Sequence, residues 1–146
     1  SGVFKLPQPL INENNLNFSF SGLKTHINLW IKRNIINEKF KYDLCASFQK
    51  TILEILISKT SRALNMMSKK NLIIKEVSIV GGVANNKYLR ENLEKEFSKK
   101  NIRMIYPIKE MMSDNAAMIA WSCIKNYSNK NADIFFKPNP RLKITL

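Results

Sequence analysis

The segment Val80-Gly-Gly-Val-Ala-Asn-Asn86 constrains the fold more than any other, because it joins two runs with different periodicities. Before it, Val77, Ile79 and Val80 are typical of a buried strand. After it, apolar residues recur at helical spacing over 86–100. A strand followed by two glycines and a helix brings backbone N–H groups and the positive end of a helix dipole close to a phosphate or a ribose. The double glycine is therefore a candidate nucleotide-binding turn.

The other elements follow from apolar spacing along the chain. Leu16 to Phe20 alternates apolar and polar residues, as a half-buried strand does. The same pattern at 102–106 predicts the strand that follows the double glycine and its helix. Helices are predicted from Thr25 as N-cap to about residue 35, from after a turn at Asn37-Glu38, with Asp43 near the start, to about residue 70, and from Ser113 or Asp114 as N-cap to Ile124.

This order of elements predicts an α/β fold with a small mixed sheet packed by helices. The strand, helix and strand around the glycines predict a right-handed parallel crossover. We expect one domain over residues 1–146, with a linker-like start at 1–15 and an irregular tail at 126–146.

Composition excludes some classes of protein. The chain has 146 residues, of which 45% are hydrophobic and 24% charged, as in an ordinary globular domain. No apolar run approaches the roughly 20 residues of a membrane-spanning helix, and no leader resembles a signal peptide. Cys45 and Cys123 fall in apolar helical runs, so we expect buried free thiols in a reducing compartment. These features predict a cytoplasmic protein without a membrane partner.

The net charge of +13 has two interpretations. Lys and Arg outnumber Asp and Glu by 24 to 11, which is typical of a protein that binds a polyanion such as tRNA. However, Lys is far more frequent than Arg, and Asn and Ile are abundant, which is also the composition of an AT-rich genome. The charge alone does not decide between the two.

Each candidate site residue also has a purely structural interpretation. Gly81 and Gly82 can serve only to form a tight turn with positive φ. Asn86 can bind a ribose or a base edge, or it can cap a helix. Asp114 can bind a metal ion or cap the next helix, and one carboxylate does not make a metal site. Lys24 can contact a phosphate or can simply be solvated.

Five segments in this order resemble the tRNA threonylcarbamoyladenosine transferases, the TsaD family, over nearly the whole chain. They are Phe18-Ser-Phe-Ser-Gly-Leu-Lys-Thr25, Ala46-Ser-Phe-Gln49, Val80 to Asn86, Leu89-Arg90 and Ser113-Asp-Asn-Ala-Ala-Met-Ile-Ala120. The resemblance implies the C-terminal lobe of a two-lobed fold like that of actin, Hsp70 and sugar kinases (the ASKHA fold). It also implies transfer of a threonylcarbamoyl group from threonylcarbamoyl-AMP to N6 of adenosine 37 in tRNAs that read ANN codons.

The resemblance further implies roles for individual residues and partners. Gly81, Gly82 and Asn86 would bind the adenylate, and Asp114 would bind one divalent metal ion, with iron as first candidate and zinc or magnesium as alternatives. The implied partners are the missing N-terminal lobe, tRNA and other subunits of the threonylcarbamoyladenosine machinery. In the family, two histidines of a His-x-x-x-His motif in the first lobe complete the metal site.

The sequence departs from the family pattern in three places. It contains no His-x-x-x-His motif, Met112 stands where Cys is common, and Pro140-Arg-Leu-Lys143 replaces Pro-Arg-Trp-Pro. We therefore expect a fragment that is inactive alone and that exposes an apolar face where the first lobe docks. The alternatives are a non-catalytic paralogue or assembly subunit of the same fold, or another ASKHA nucleotide-binding lobe.

Overall fold

A computed structural model of the chain describes residues 3–113 and 115–127. The chain divides into two compact units, Ser1–Met112 and Ser113–Leu146. The elements of the first unit are α1 (Ser21–Arg33), α2 (Glu38–Lys69), β1 (Glu76–Ser78), a 3-10 turn (Gly82–Asn85), α3 (Lys87–Ser98), β2 (Arg103–Ile105) and a second 3-10 turn (Lys109–Met111). The second unit contains α4 (Ala116–Asn126). Within the described ranges, no helix has both the length and the apolar character needed to cross a membrane.

The strands on either side of the double glycine are parallel, as predicted. Val77 of β1 lies opposite Met104 of β2, and the Ile79 amide extends the ladder by donating to the Ile105 carbonyl at 3.0 Å. The sheet is smaller and more exposed than predicted, because β1 covers only Glu76–Ser78 and Val80 beyond it is 70% exposed. The predicted α/β class is therefore compatible with a helix-rich fold around a two-stranded parallel sheet.

The predicted strand at Leu16 to Phe20 is wrong. These residues have no regular secondary structure, and the side chains of Leu16, Phe18 and Phe20 are 37%, 47% and 41% exposed. A strand needs a neighbour that accepts and donates its backbone hydrogen bonds, and the described part of the chain places none beside this segment. The Phe18 and Phe20 rings instead stack on each other, with centroids 5.9 Å apart.

The main core lies where α3 packs against α2 and β2. Its apolar stripe consists of Leu89, Leu93 and Phe97, which are at most 4% exposed. Residues from α2 and β2, Leu53 and Met104, complete the cluster. The spacing of four residues along α3 puts the three side chains on one face, which accounts for the burial.

A second cluster joins the N-terminal segment, α1 and the start of α2. Leu6, Leu23 and Leu44 are buried in it. Around them the ring of Phe4 meets that of Trp30 edge-on, with the centroids 4.7 Å apart. Residues 3–15 contain no helix or strand but are packed, since Leu6 is only 5% exposed.

Lys59 fastens the N-terminal segment to the middle of α2. Its side chain is 1% exposed, and Nζ donates to the carbonyl oxygens of Leu10 at 2.7 Å and Asn15 at 2.9 Å. Arg62, one turn later, donates to the carbonyl oxygens of Ile11 and Glu13. Loss of hydration lowers the pKa of the Lys59 ammonium, and the charge of Arg62 lowers it further.

Helix starts differ from the predictions in their capping residues. α1 begins at Ser21 without a side-chain cap, so Thr25 is not its N-cap. α4 is capped by Asn115, whose Oδ1 accepts from the Met118 amide at 3.0 Å, and not by Ser113 or Asp114. Asn has the same capping chemistry as Ser and Asp, so spacing alone did not identify the residue.

The prediction of buried thiols is wrong, because Cys45 and Cys123 are both free and exposed. Leu44 and Ser47 of α2 are buried. Cys45 is rotated by about 100° from Leu44, which turns it away from the packed face of the helix.

Replacing Lys59 by Met should release the N-terminal segment, because the Leu10 and Asn15 carbonyls would lose their buried donor. We expect the midpoint of thermal unfolding to fall by roughly 5 °C or more. Lys39→Met, at an exposed position of the same helix, is the matched control and should change the midpoint by less than about 1 °C. The midpoints are measured by circular dichroism during heating. Equal midpoints for the two variants would contradict the role of Lys59.

The exposure of both cysteines predicts their reactivity. In the absence of denaturant, a thiol reagent such as Ellman's reagent should modify both cysteines of the native chain within minutes. Cys45→Ser should lower the number of reactive thiols per chain by one and leave the free energy of unfolding within about 0.5 kcal/mol of that of the parent. A thiol that reacts only after urea is added would be buried and would contradict the structure.

Candidate nucleotide-binding turn and the adjoining groove

The double glycine forms a tight turn at the end of β1. Gly81 has φ of 90° and ψ of 169°, a conformation that favours glycine. Gly82 then opens the 3-10 turn, in which the Ala84 amide donates to the Gly81 carbonyl at 2.9 Å. The positive φ expected of a tight turn is therefore confirmed at Gly81, and its role in nucleotide binding stays a prediction. α3 begins after this turn at Lys87, with Asn86 as its N-cap, which confirms the predicted start of the helix.

The outer side of this turn is open. A Cβ atom built on Gly81 or Gly82 would meet no heavy atom within 4 Å. Gly82 also lacks the positive φ of Gly81, so neither backbone conformation nor packing requires glycine there. The backbone at this position is free to be approached closely by another molecule.

Asn86 links the turn to both helices. Its Oδ1 accepts from the Leu89 amide at 3.2 Å and caps α3, which confirms the capping interpretation. Its Nδ2 donates to Oε1 of Gln49 on α2 at 3.2 Å. Because the cap requires the oxygen to face the helix, the amide group must point its nitrogen towards Gln49. One hydrogen of Nδ2 remains for a further acceptor.

An apolar groove begins beside the glycine turn, and we call it the α2–α3 groove. It encloses about 420 Å³. It is lined by Phe20, Phe48, Ile52, Leu56, Ile79, Val80, Val83, Ala84, Leu89, Arg90, Leu93 and Tyr106. A separate cavity of about 530 Å³ lies between the N-terminal segment and α2 and contains neither glycine nor Asn86.

Arg90 is the charged residue of the groove lining. Its guanidinium lies over the Tyr106 ring, with Cζ 4.4 Å from the ring centroid, and the Tyr106 hydroxyl donates to the Arg90 carbonyl at 3.3 Å. Nη2 donates to the Met112 sulfur at 3.9 Å, and the buried Nε has no hydrogen-bond partner among residues 3–113 and 115–127. Burial raises the pKa of the Tyr106 phenol, with Glu94 adding to the shift and Arg90 opposing it.

The structure brings Gly81, Gly82 and Asn86 together but does not test Asp114, which lies outside the described residues. Metal binding by Asp114 stays a prediction. Among residues 3–113 and 115–127, no three His, Cys, Asp or Glu side chains are grouped so that they could hold a metal ion. Lys24 is exposed on α1, and its contact with a phosphate stays a prediction.

Sequence analysis assigned no role to Gln49 or Arg90. Gln49 is three residues before Ile52, which lines the groove, and Arg90 is four residues after Asn86, so both belong to faces of α2 and α3 that carry other residues of this region. That spacing was available in the sequence. The contact between Gln49 and Asn86 was not, because it joins residues 37 positions apart.

Comparison with known proteins gives a consistent result. A family model for tRNA N6-adenosine threonylcarbamoyltransferase matches residues 1–121. Proteins of that name are 35% identical in Wolbachia pipientis wMel, over 97% of this chain and 42% of the relative, and 39% identical in Thermosipho africanus, over the same shares. The relative from Rickettsia massiliae is 44% identical over 87% of this chain and 38% of its own length.

The match covers most of this chain but well under half of each relative. The residues that the family model matches, 1–121, include all five segments named in the sequence analysis. The chain therefore belongs to the tRNA N6-adenosine threonylcarbamoyltransferase family and corresponds to a C-terminal part of its members.

Proposed function

We propose that this chain is the C-terminal lobe of an ASKHA-fold enzyme that transfers the threonylcarbamoyl group from threonylcarbamoyl-AMP to N6 of adenosine 37 in ANN-decoding tRNAs. Family membership supports the transfer reaction in the full-length protein. The observation that carries the role of this lobe is the glycine turn, which is open on its outer side and lies directly before the Asn86 cap.

The adenylate would be bound mainly by backbone and amide donors. The open backbone at Gly81 and Gly82 allows a phosphate or ribose oxygen to come close to peptide N–H groups. Asn86 would add the Nδ2 hydrogen that Gln49 leaves free, so it would act towards the ligand as a donor. Its oxygen is already engaged by the Leu89 amide.

Asp114 would supply one carboxylate ligand to a divalent metal ion, with iron as first candidate and zinc or magnesium as alternatives. The described residues do not supply a donor set that fits such an ion. We therefore assign no step of the reaction to it, and the remaining ligands would have to come from the N-terminal lobe. For the same reason the chain alone should be inactive.

The further partners follow from the same proposal. The N-terminal lobe would complete the cleft, and other subunits of the threonylcarbamoyladenosine machinery would assemble with the full-length protein in the cytoplasm. The net charge of +13 would attract the tRNA phosphates over a long range, in a way that weakens with salt.

Substitutions at Asn86 separate its two roles in the full-length protein. Asn86→Asp retains an oxygen for the helix cap but loses the Nδ2 donor. It should therefore leave stability within about 0.5 kcal/mol while lowering kcat/KM for tRNA modification by at least about tenfold. Asn86→Ala should in addition lose about 1 kcal/mol of stability. Full activity of Asn86→Asp would show that the residue is only a cap.

Gly82→Ala tests whether the open turn serves a ligand. The added methyl meets no protein atom, so the free energy of unfolding should change by less than about 1 kcal/mol. The same methyl should block close approach of the adenylate and raise its KM by about tenfold or more. Gly81→Ala is the contrasting variant, since its positive φ makes it lose stability as well. Normal adenylate binding by Gly82→Ala would contradict the proposed site.

Asp114→Ala tests the metal assignment. In the full-length protein purified with its metal, this variant should lose bound metal, measured by elemental analysis, together with tRNA modification. Asn115→Asp, which retains the α4 cap, should keep both. Metal content equal to that of the parent protein in Asp114→Ala would contradict the assignment.

A further inference from the structure

The α2–α3 groove is apolar, and the described part of the chain leaves it largely uncovered. Of the residues on its floor and rim, Phe48 is 40% exposed, Val80 70% and Val83 65%. Phe48 lies on the same face of α2 as Ile52 and Leu56, which also line the groove. A contiguous apolar surface of this kind marks a site where another chain segment or molecule binds.

The neighbouring sheet also has a free edge. β1 pairs with β2 along one side, and the described chain places no strand along its other side. A sheet of two short strands is marginal by itself and gains stability from an added strand. Together the free edge and the apolar floor match an extended segment with apolar side chains.

Arg90 places a positive charge in the lining of this groove, which favours an occupant with a negative group. Its guanidinium is held in place by the Tyr106 ring, and no ion pair reaches it from any described carboxylate. Its buried Nε has no acceptor among the described residues. A planar guanidinium fixed in this way pairs best with a carboxylate, which can accept two parallel hydrogen bonds.

We propose that the groove receives an apolar segment from the N-terminal part of the full-length protein, and that an Asp or Glu in or beside this segment pairs with Arg90. This rests on the proposed function insofar as that function requires an N-terminal lobe. The size of the missing part supports this occupant, since the chain covers only 42% of its Wolbachia relative.

Two other occupants fit less well. A second copy of this chain would bring together two molecules that each carry a net charge of +13. A nucleotide base would find few polar partners, because the Tyr106 hydroxyl is already used and Arg90 only donates. An apolar segment with one carboxylate would cover the apolar lining of the groove and would accept hydrogen bonds from Arg90.

The first test maps the occupant by photo-crosslinking in the full-length protein. A benzoylphenylalanine at Phe48 should crosslink to a peptide from the part that precedes this chain, identified by mass spectrometry. Tyr42 is the matched control, since it is an exposed aromatic residue on the same helix and does not line the groove. Equal capture from both positions, or capture of a second copy at Phe48, would overturn the proposal.

The second test uses charge. In the full-length protein Arg90→Glu should lower the thermal midpoint by at least about 5 °C more than Arg33→Glu, which makes the same change at an exposed position. In the isolated chain, where no described carboxylate pairs with Arg90, only the contact with Tyr106 is lost, so the difference between the two variants should be smaller by at least about 3 °C. Equal effects of Arg90→Glu in the two contexts would overturn the pairing.

A charge reversal completes the test. Replacing the Asp or Glu of the crosslinked segment by Lys in the Arg90→Glu background should reverse at least about half of the decrease in the thermal midpoint. A crosslinked segment without any Asp or Glu near Arg90 would overturn the pairing directly. These readouts are independent of catalysis. If the segment docks as proposed but the protein modifies no tRNA, the proposed function fails and the docking surface stands.

Discussion

The packing of α3 between α2 and β2 is the interaction on which the rest of this structure depends. Burial of Leu89, Leu93 and Phe97 fixes the helix, and the helix begins at the Asn86 cap that closes the glycine turn. At roughly 1.5–3 kcal/mol for each fully buried side chain, these three contacts outweigh any single hydrogen bond nearby. The position of the candidate site is therefore set by the hydrophobic core beneath it and not by the loop itself.

Sequence periodicity predicted those parts of the fold that depend on one face of one element. α3 and the parallel strands around the glycines were found because burial imposes a spacing of about 3.6 or 2 residues. The Leu16 to Phe20 segment shows the limit of this reasoning, since alternation of side chains says nothing about a hydrogen-bonding neighbour.

Lys59 shows why contacts between residues far apart in the sequence could not be predicted. A lysine within the packed face of a helix contradicts the usual distribution of charge, and nothing local marks it as buried. Its burial depends on the carbonyl oxygens of Leu10 and Asn15, which lie 49 and 44 positions away. Only the folded path of the N-terminal segment brings these acceptors together, so a segment that sequence composition describes as a linker becomes part of the core.

Asn86 in the candidate site makes one contact within its own helix and one with a residue far away in the sequence. Its capping role was predictable from the adjoining helix, and its contact with Gln49 was not. The two contacts are complementary, because the cap orients the amide and Gln49 then holds the nitrogen in place. A residue that only capped α3 would need no partner on α2. If Asn86 binds the adenylate as proposed, its two contacts hold the amide in place beforehand, and such preorganisation would lower the entropy lost on binding.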